Sequence, residues 1–305
     1  MGGYVLDRAA LLVKKEDSSG TYVDADFVLP VNRGAGVLEV KFDKEEVDPM
    51  SSSLGSKYNI VNTIFAQVPL EVKFNLPSDK NLVDTLFRGC GVVGSDVDDG
   101  VEYKYDSSNM DTLSFKQIAL RELTKAKGAR GDLTITAEAG KAVEVSFNFE
   151  SFLEEQTKSG SDNSVPESPI FEPVFMSNEC NAYLVNGNSA SFSKIEFKLN
   201  ADTVAPKESC SGGCYTKDIK PELSVEMSDS LDNANSFDDL KNGTEFNFVL
   251  PFFDLQGNKK WEIISPKCVV IEHKKPESEG RITVNRTLEC RKVNGDDNFI
   301  LKYYS

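Results

Sequence analysis

His273 is the sole histidine of the chain and so the one conventional base that a nucleophilic serine or cysteine could use near neutral pH. It ends the run Cys268-Val269-Val270-Ile271-Glu272-His273, with Cys268 and Cys290 as conceivable partners, but nothing marks a triad. The ordinary reading is a strand-end histidine facing solvent. Cys210-Ser211-Gly212-Gly213-Cys214 is the sharpest local motif, because two thiolates at that spacing can grip one zinc ion while the glycines permit the turn. A closed site needs two more ligands. Cys268 and Cys290 lie on separate strands and form no second close pair, so the motif is read as a Gly-rich loop tip with free thiols.

Glu138, Glu144 and Glu150 suggest the paired carboxylates of sugar hydrolysis, yet their alternation with apolar residues already explains them as a solvated strand face. Gly128-Ala129-Arg130-Gly131 precedes a strand pattern, so it has no helix N-terminus with which to hold phosphate. The expectation is a chain that is not an enzyme and that uses no cofactor or metal.

The elements that would position these residues are mainly strands. Val143, Val145, Phe147 and Phe149 alternate with Glu144, Ser146, Asn148 and Glu150, and Leu133, Ile135 and Ala137 alternate with Thr134, Thr136 and Glu138. The turn at Gly140 makes these a hairpin. The same period predicts strands at 37–42, 68–74, 101–105 and 113–118, and in the second half at 192–199, 223–227, 246–252, 261–264, 269–272, 282–288 and 299–303. A helix is expected over 79–87, capped by Ser78 and ended by Gly89 and Gly91, and a shorter one over 236–241. Each helix follows two strands and precedes several, and 157–173 between the halves is rich in Ser, Gly and Pro. This organisation suggests two similarly wired β domains, 1–155 and 175–305, joined by a linker or arm at 156–174.

Among 305 residues, 34 Lys and Arg face 49 Asp and Glu, a formal charge of −15. Proteins held on nucleic acid by phosphate contacts need a basic surface, so the balance argues against such a binder, though not against a surface that DNA passes. No apolar run approaches the roughly 20 residues of a membrane helix, and insertion into a membrane is not expected. The first residues carry no basic start, long apolar stretch or cleavage site, so the expectation is no secretory signal and six cytosolic thiols.

The segment Lys127-Gly128-Ala129-Arg130-Gly131, with the strand 132–138, the turn at Gly140 and Ser146-Phe147-Asn148-Phe149, resembles the corresponding part of phage tail tube proteins, the major tail proteins of long-tailed phages. Asp7-Arg8-Ala9-Ala10-Leu11-Leu12 with Lys15-Glu16-Asp17, then Leu86-Phe87-Arg88-Gly89-Cys90-Gly91, fit in the same order. So do the strand 281–288 and Asn294-Gly295-Asp296-Asp297 before a final strand. The resemblance implies a mainly β fold of two tail-tube-like β-sandwich or barrel domains, each with a short helix, assembling into a ring with an inner β-barrel. It also implies a structural virion protein whose stacked rings form the tube that delivers DNA. With the tube domain duplicated, three copies would make a pseudo-hexameric ring.

The implied partners are further copies of the chain, the tape measure, distal tail and terminator proteins, and double-stranded DNA in transit. The implied location is the virion tail, assembled in the host cytoplasm. If the hairpin 132–150 lines that barrel, strand parity turns Thr134, Thr136, Glu138, Glu144, Ser146 and Asn148 toward the lumen. Polar, Gly- or Ser-rich segments supply the candidates for contacts between rings: Ser51, Ser52, Ser53, Ser161, Asp162, Cys210, Gly212 and Cys214. The alternative is a secreted or surface β-sandwich adhesin that binds carbohydrate, which would show an exposed aromatic platform.

Overall fold

The computed structural model describes residues 9–31, 37–47, 58–119, 121–159, 161–177, 183–206, 213–228, 236–275, 277–278, 281–293, 295 and 297–305. Strands dominate and pair antiparallel. The first half holds β1 (Ala9–Lys15), β2 (Phe27–Val28), β3 (Lys41–Val47), β4 (Tyr58–Gln67) and β5 (Leu70–Asn75). Next come α1 (Asp84–Gly89), β6 (Val92–Val97), β7 (Gly100–Tyr105), β8 (Leu113–Ala119), β9 (Glu122–Glu138) and β10 (Glu144–Lys158). In the second half, short strands β11 (Phe175–Met176), β12 (Tyr183–Val185) and β13 (Asn188–Ala190) lead to β14 (Lys194–Lys198), β15 (Ala201–Val204), β16 (Tyr215–Ile219) and β17 (Glu222–Ser228). Then follow α2 (Ser236–Asn242), β18 (Glu245–Phe253), β19 (Lys259–Lys274), β20 (Glu277–Ser278), β21 (Arg281–Cys290) and β22 (Ile300–Tyr304).

One pairing order occurs in both halves. β5 is followed by α1, and β8, β9 and β10 then run as a meander whose last strand returns beside β5. β17 is followed by α2, and β18, β19 and β21 form a meander whose last long strand returns beside β17. The β6–β7 hairpin is an insertion in the first copy of this pattern. β14 pairs with β9 on one edge and with β17 on the other. It thereby joins the two halves into one run, β5–β10–β9–β14–β17–β21–β19. The first part of β19 carries β22 instead of β21, and β22 continues to β7. Among the described residues the sheet stays open and does not close into a barrel.

The core draws on both halves. Phe74, Phe87, Tyr103, Phe147, Phe197, Trp261 and Phe299 belong to one buried cluster. Phe87 on α1 meets Tyr103 at 5.2 Å and Trp261 at 5.8 Å between ring centroids. The Trp261 indole N–H donates to the Pro77 carbonyl at 2.7 Å, which satisfies the one polar atom of that buried ring. Residues 161–172 have no regular structure but lie on the first half as a strap. Asp162 pairs with Arg121 at 2.8 Å, the Asn163 amide donates to the Ala119 carbonyl at 2.9 Å, and Val165 packs on Ala10, Leu12 and Ala25.

Several sequence expectations shift. The first helix divides into a 3-10 turn over Lys80–Leu82 and α1, and the cap is Asp79, not Ser78, because the Asp79 carboxylate accepts the Asn81 amide at 3.0 Å. Residues 37–40 are not strand: the Leu38 amide donates to the Gln117 side chain, and pairing begins only where β4 lies opposite. The strands expected at 261–264 and 269–272 are one strand, β19. It passes through Pro266 at an irregularity in the ladder between the pairs Phe248/Ser265 and Phe246/Cys268, where the missing amide costs no regular bond.

Candidate functional site

The hairpin β9–β10 splits by parity as its sequence requires. Leu133, Ile135, Val143, Val145, Phe147 and Phe149 are buried, while Thr134, Thr136, Glu138, Glu144 and Ser146 are half-buried and Asn148 is exposed on the opposite face. Gly140 turns the hairpin at φ +79°, a conformation that costs a glycine little.

This polar face does not stop at the hairpin. In one cross-strand row Glu138 lies opposite Lys194, Lys194 opposite Glu226, Glu226 opposite Asn285 and Asn285 opposite Lys274. In the next, Glu144 lies opposite Thr136, followed across the strands by Glu196, Ser224, Thr287 and Glu272. A third row runs from Lys73 through Ser146, Thr134 and Lys198 to Glu222 and Glu289. Directly opposed residues share a face, so five of the six hairpin positions lie in rows that span both halves of the chain, and Asn148 follows Ser146 on the same face of β10, opposite Glu71 and Asp132.

Charges on this face are paired along and across strands. Lys73 contacts Glu144 at 2.8 Å, Lys194 contacts Glu138 at 3.8 Å, Lys198 contacts Glu196 at 3.1 Å and Lys274 contacts Glu272 at 2.7 Å. The hydrogen bond from Lys141 holds the Glu138 carboxyl below its ordinary range, and the bond to Glu144 raises the Lys73 ammonium. Carboxylates nevertheless outnumber lysines across the three rows, so the surface is net acidic. A shallow groove of about 160 Å³ lies among Lys194, Glu226, Lys274 and Thr287. Glu150, further along β10 and opposite Arg130 on β9, is half-buried, and burial pushes its carboxyl up.

A second polar cluster braces the far end of β9. Glu16 is buried and accepts four hydrogen bonds: from the Gly20 amide at 2.7 Å, the Thr112 hydroxyl at 2.7 Å, the Ser114 hydroxyl at 2.8 Å and the Gly128 amide at 2.7 Å. Two motifs far apart in sequence, Lys15-Glu16-Asp17 and Lys127-Gly128-Ala129, are thus joined in space. Gly128 has φ +63°, and a Cβ there would sit 2.7 Å from Gly213 Cα. The chain following Gly213 is held here too, since the Cys214 amide donates to the Gly128 carbonyl at 2.9 Å.

Cys214 is therefore buried, not exposed at a loop tip, and burial pushes its thiol up to about 12. Ser161 and Asp162 are exposed on the strap. Ser51, Ser52, Ser53, Cys210 and Gly212 lie outside the described residues. Among the described residues no cluster of His, Cys, Asp and Glu is arranged to hold a metal ion, and no helix is long and apolar enough to cross a membrane. His273 does stand at a strand end, one residue before the end of β19 and opposite Arg286 on β21, but it is half-buried and does not simply face solvent. Cys268 and Cys290, separate in sequence, are direct cross-strand partners.

Sequence reading found the hairpin's share of the polar face and missed the share on β14, β17 and β21. The alternation in Lys194-Ile195-Glu196-Phe197-Lys198 identifies a strand, but no local signal says that β9 is its neighbour. No protein-family model matches this chain, and no curated protein matches it at a significant level.

Proposed function

We propose that this chain is a structural subunit of a phage tail tube, of the type in which the tube domain is duplicated and three copies close a ring. The observation that carries this reading is the pairing order strand, helix, returning meander, present in each half and fused by β14 into one sheet with a continuous polar face. Two copies of one unit in a single chain are what a six-fold ring built from three chains requires.

The edges support it further. Among the described residues β5 pairs only with β10, and the end of β19 beyond Val270 pairs only with β21. Such edges invite another strand, and a ring of copies would satisfy them. In that ring the polar face lines the channel. Its acidic excess repels the phosphates of passing DNA, so the genome meets no binding wells. The role is structural and needs neither catalysis nor a cofactor. It places the protein in the virion tail, assembled in the host cytoplasm, in contact with copies of itself and with tape measure, distal tail and terminator proteins.

Negative-stain electron microscopy of the concentrated protein, with native mass measurement of any ring, tests the reading. Rings or tubes with three chains per ring are expected. Six chains per ring would remove the duplication argument, and a protein that stays monomeric while binding a glycan array would overturn the assignment in favour of an adhesin.

A further inference from the structure

The paired strands β19 and β21 carry two thiols for which the role above has no use. Cys268 and Cys290 lie directly opposite each other, both are buried, and both are free thiols. The Arg291 amide donates to the Lys267 carbonyl at 2.7 Å, whereas the Cys290 amide points away from β19, to the Pro221 carbonyl at 2.9 Å. This pattern makes Cys268 and Cys290 a non-hydrogen-bonded pair, the close position of an antiparallel ladder, where Cα atoms approach to about 4.5 Å. That spacing lies inside the range a disulfide spans. The sulfur atoms are 3.6 Å apart, with the Cys268 thiol donating to Cys290. Ser265 Oγ holds Cys268 Sγ from the other side at 2.8 Å.

We propose that Cys268 and Cys290 are a peroxide-responsive dithiol site, oxidised to a cross-strand disulfide that clips β19 to β21. Cys290 is the nucleophile, because accepting the Cys268 S–H holds its thiol below the ordinary range. Its sulfur, giving up its own proton, attacks one oxygen of hydrogen peroxide; the O–O bond breaks, and the departing hydroxide takes up that proton to leave as water. The resulting sulfenic acid is then attacked by the Cys268 sulfur. The S–S bond forms as the S–O bond breaks, and the Cys268 proton leaves with the hydroxide as a second water. Two electrons pass from the two thiols to one peroxide. Burial selects so small an oxidant over bulky disulfides.

The full-length protein treated with hydrogen peroxide and digested without reductant tests this by peptide mapping. A linked Cys268–Cys290 peptide, lighter by two hydrogens and separated by dithiothreitol, is expected. The oxidised protein should also melt several degrees higher than the reduced one. Recovery of both cysteines reduced, conversion of Cys290 to sulfinic acid without linkage, or linkage of either thiol to another cysteine would overturn the site. In a folded Cys268→Ser variant treated with hydrogen peroxide and then unfolded in the presence of dimedone, Cys290 should be labelled, and failure to label would overturn its assignment as nucleophile. The wild-type mapping decides the disulfide itself whether or not that variant folds.

Discussion

Glu16 shows how a single side chain can tie together segments about a hundred residues apart. Its carboxylate takes donors from the Gly20 turn, from the approach to β8 and β8 itself, and from β9, and it is buried while doing so. Glu16→Ala would strand those donors without partners, and a loss of about 3 kcal/mol is expected from the unpaired buried groups, read as a lower urea midpoint. An unchanged midpoint would mean that water replaces the carboxylate at little cost. Asp132 illustrates the opposite case. Burial raises its carboxyl above the ordinary range, although the Ala201 and Leu133 amides donate to it at 3.0 and 2.9 Å. With the folded pKa above the unfolded one, the folded state holds the extra proton. Stability therefore falls as pH rises from about 4, the unfolded value, through the folded pKa. Asp132→Asn keeps an acceptor oxygen and removes the charge, so it should abolish that loss and match or exceed the wild type at pH 7. Urea titrations of both proteins across this range provide the check, and parallel pH profiles would refute the argument.

At the scale of elements, strand existence was legible and strand partnership was not. The alternation in β9, β10, β14 and β17 announces a half-buried strand each time, because burial on one face selects every second residue. The pairing of β14 with β9, or of β22 with β7, depends on contacts between distant segments that leave no local trace. The burial of Glu16 and Cys214 leaves no local signal for the same reason: their partners lie far away in sequence. β14 offers a test of how closely the halves are joined. Phe197 on this strand is fully buried and meets Phe299, before β22, with 4.8 Å between ring centroids. Phe197→Ala should cost about 3–5 kcal/mol as a large aromatic lost from a packed core. Because Trp261, the single tryptophan, touches Phe87 and bonds Pro77, its fluorescence reports on the first half as well as its own. Fluorescence and far-UV circular dichroism should therefore give coincident unfolding curves in the variant as in the wild type. Two separated transitions would show that the halves unfold independently.

The whole molecule presents one acidic, ladder-like face built from both halves, and the proposed role turns on whether DNA passes along it. Glu138 and Glu144 suit a test because they stand in adjacent rows of this face, and their ion pairs with Lys141, Lys194 and Lys73 lie at the surface. Exposed pairs of this kind add little to stability, so replacing both carboxylates should leave the fold and the buried side of the hairpin intact. Glu138→Lys with Glu144→Lys changes the formal charge of each chain from −15 to −11, since each reversal adds two units. In a three-chain ring the change is repeated around the circumference and in every stacked layer. Close lysines without a neutralising partner attract phosphate, and each such contact releases counterions from the DNA. Tubes of the double variant should therefore assemble at nearly the normal yield but bind DNA in a salt-dependent way, and virions carrying them should eject their genomes more slowly. Raising the salt concentration should restore the rate, because screening weakens the contacts. Normal ejection from well-assembled variant tubes would place this face away from the channel. Failure to assemble, with the isolated chain still folded, would place it at a contact between subunits.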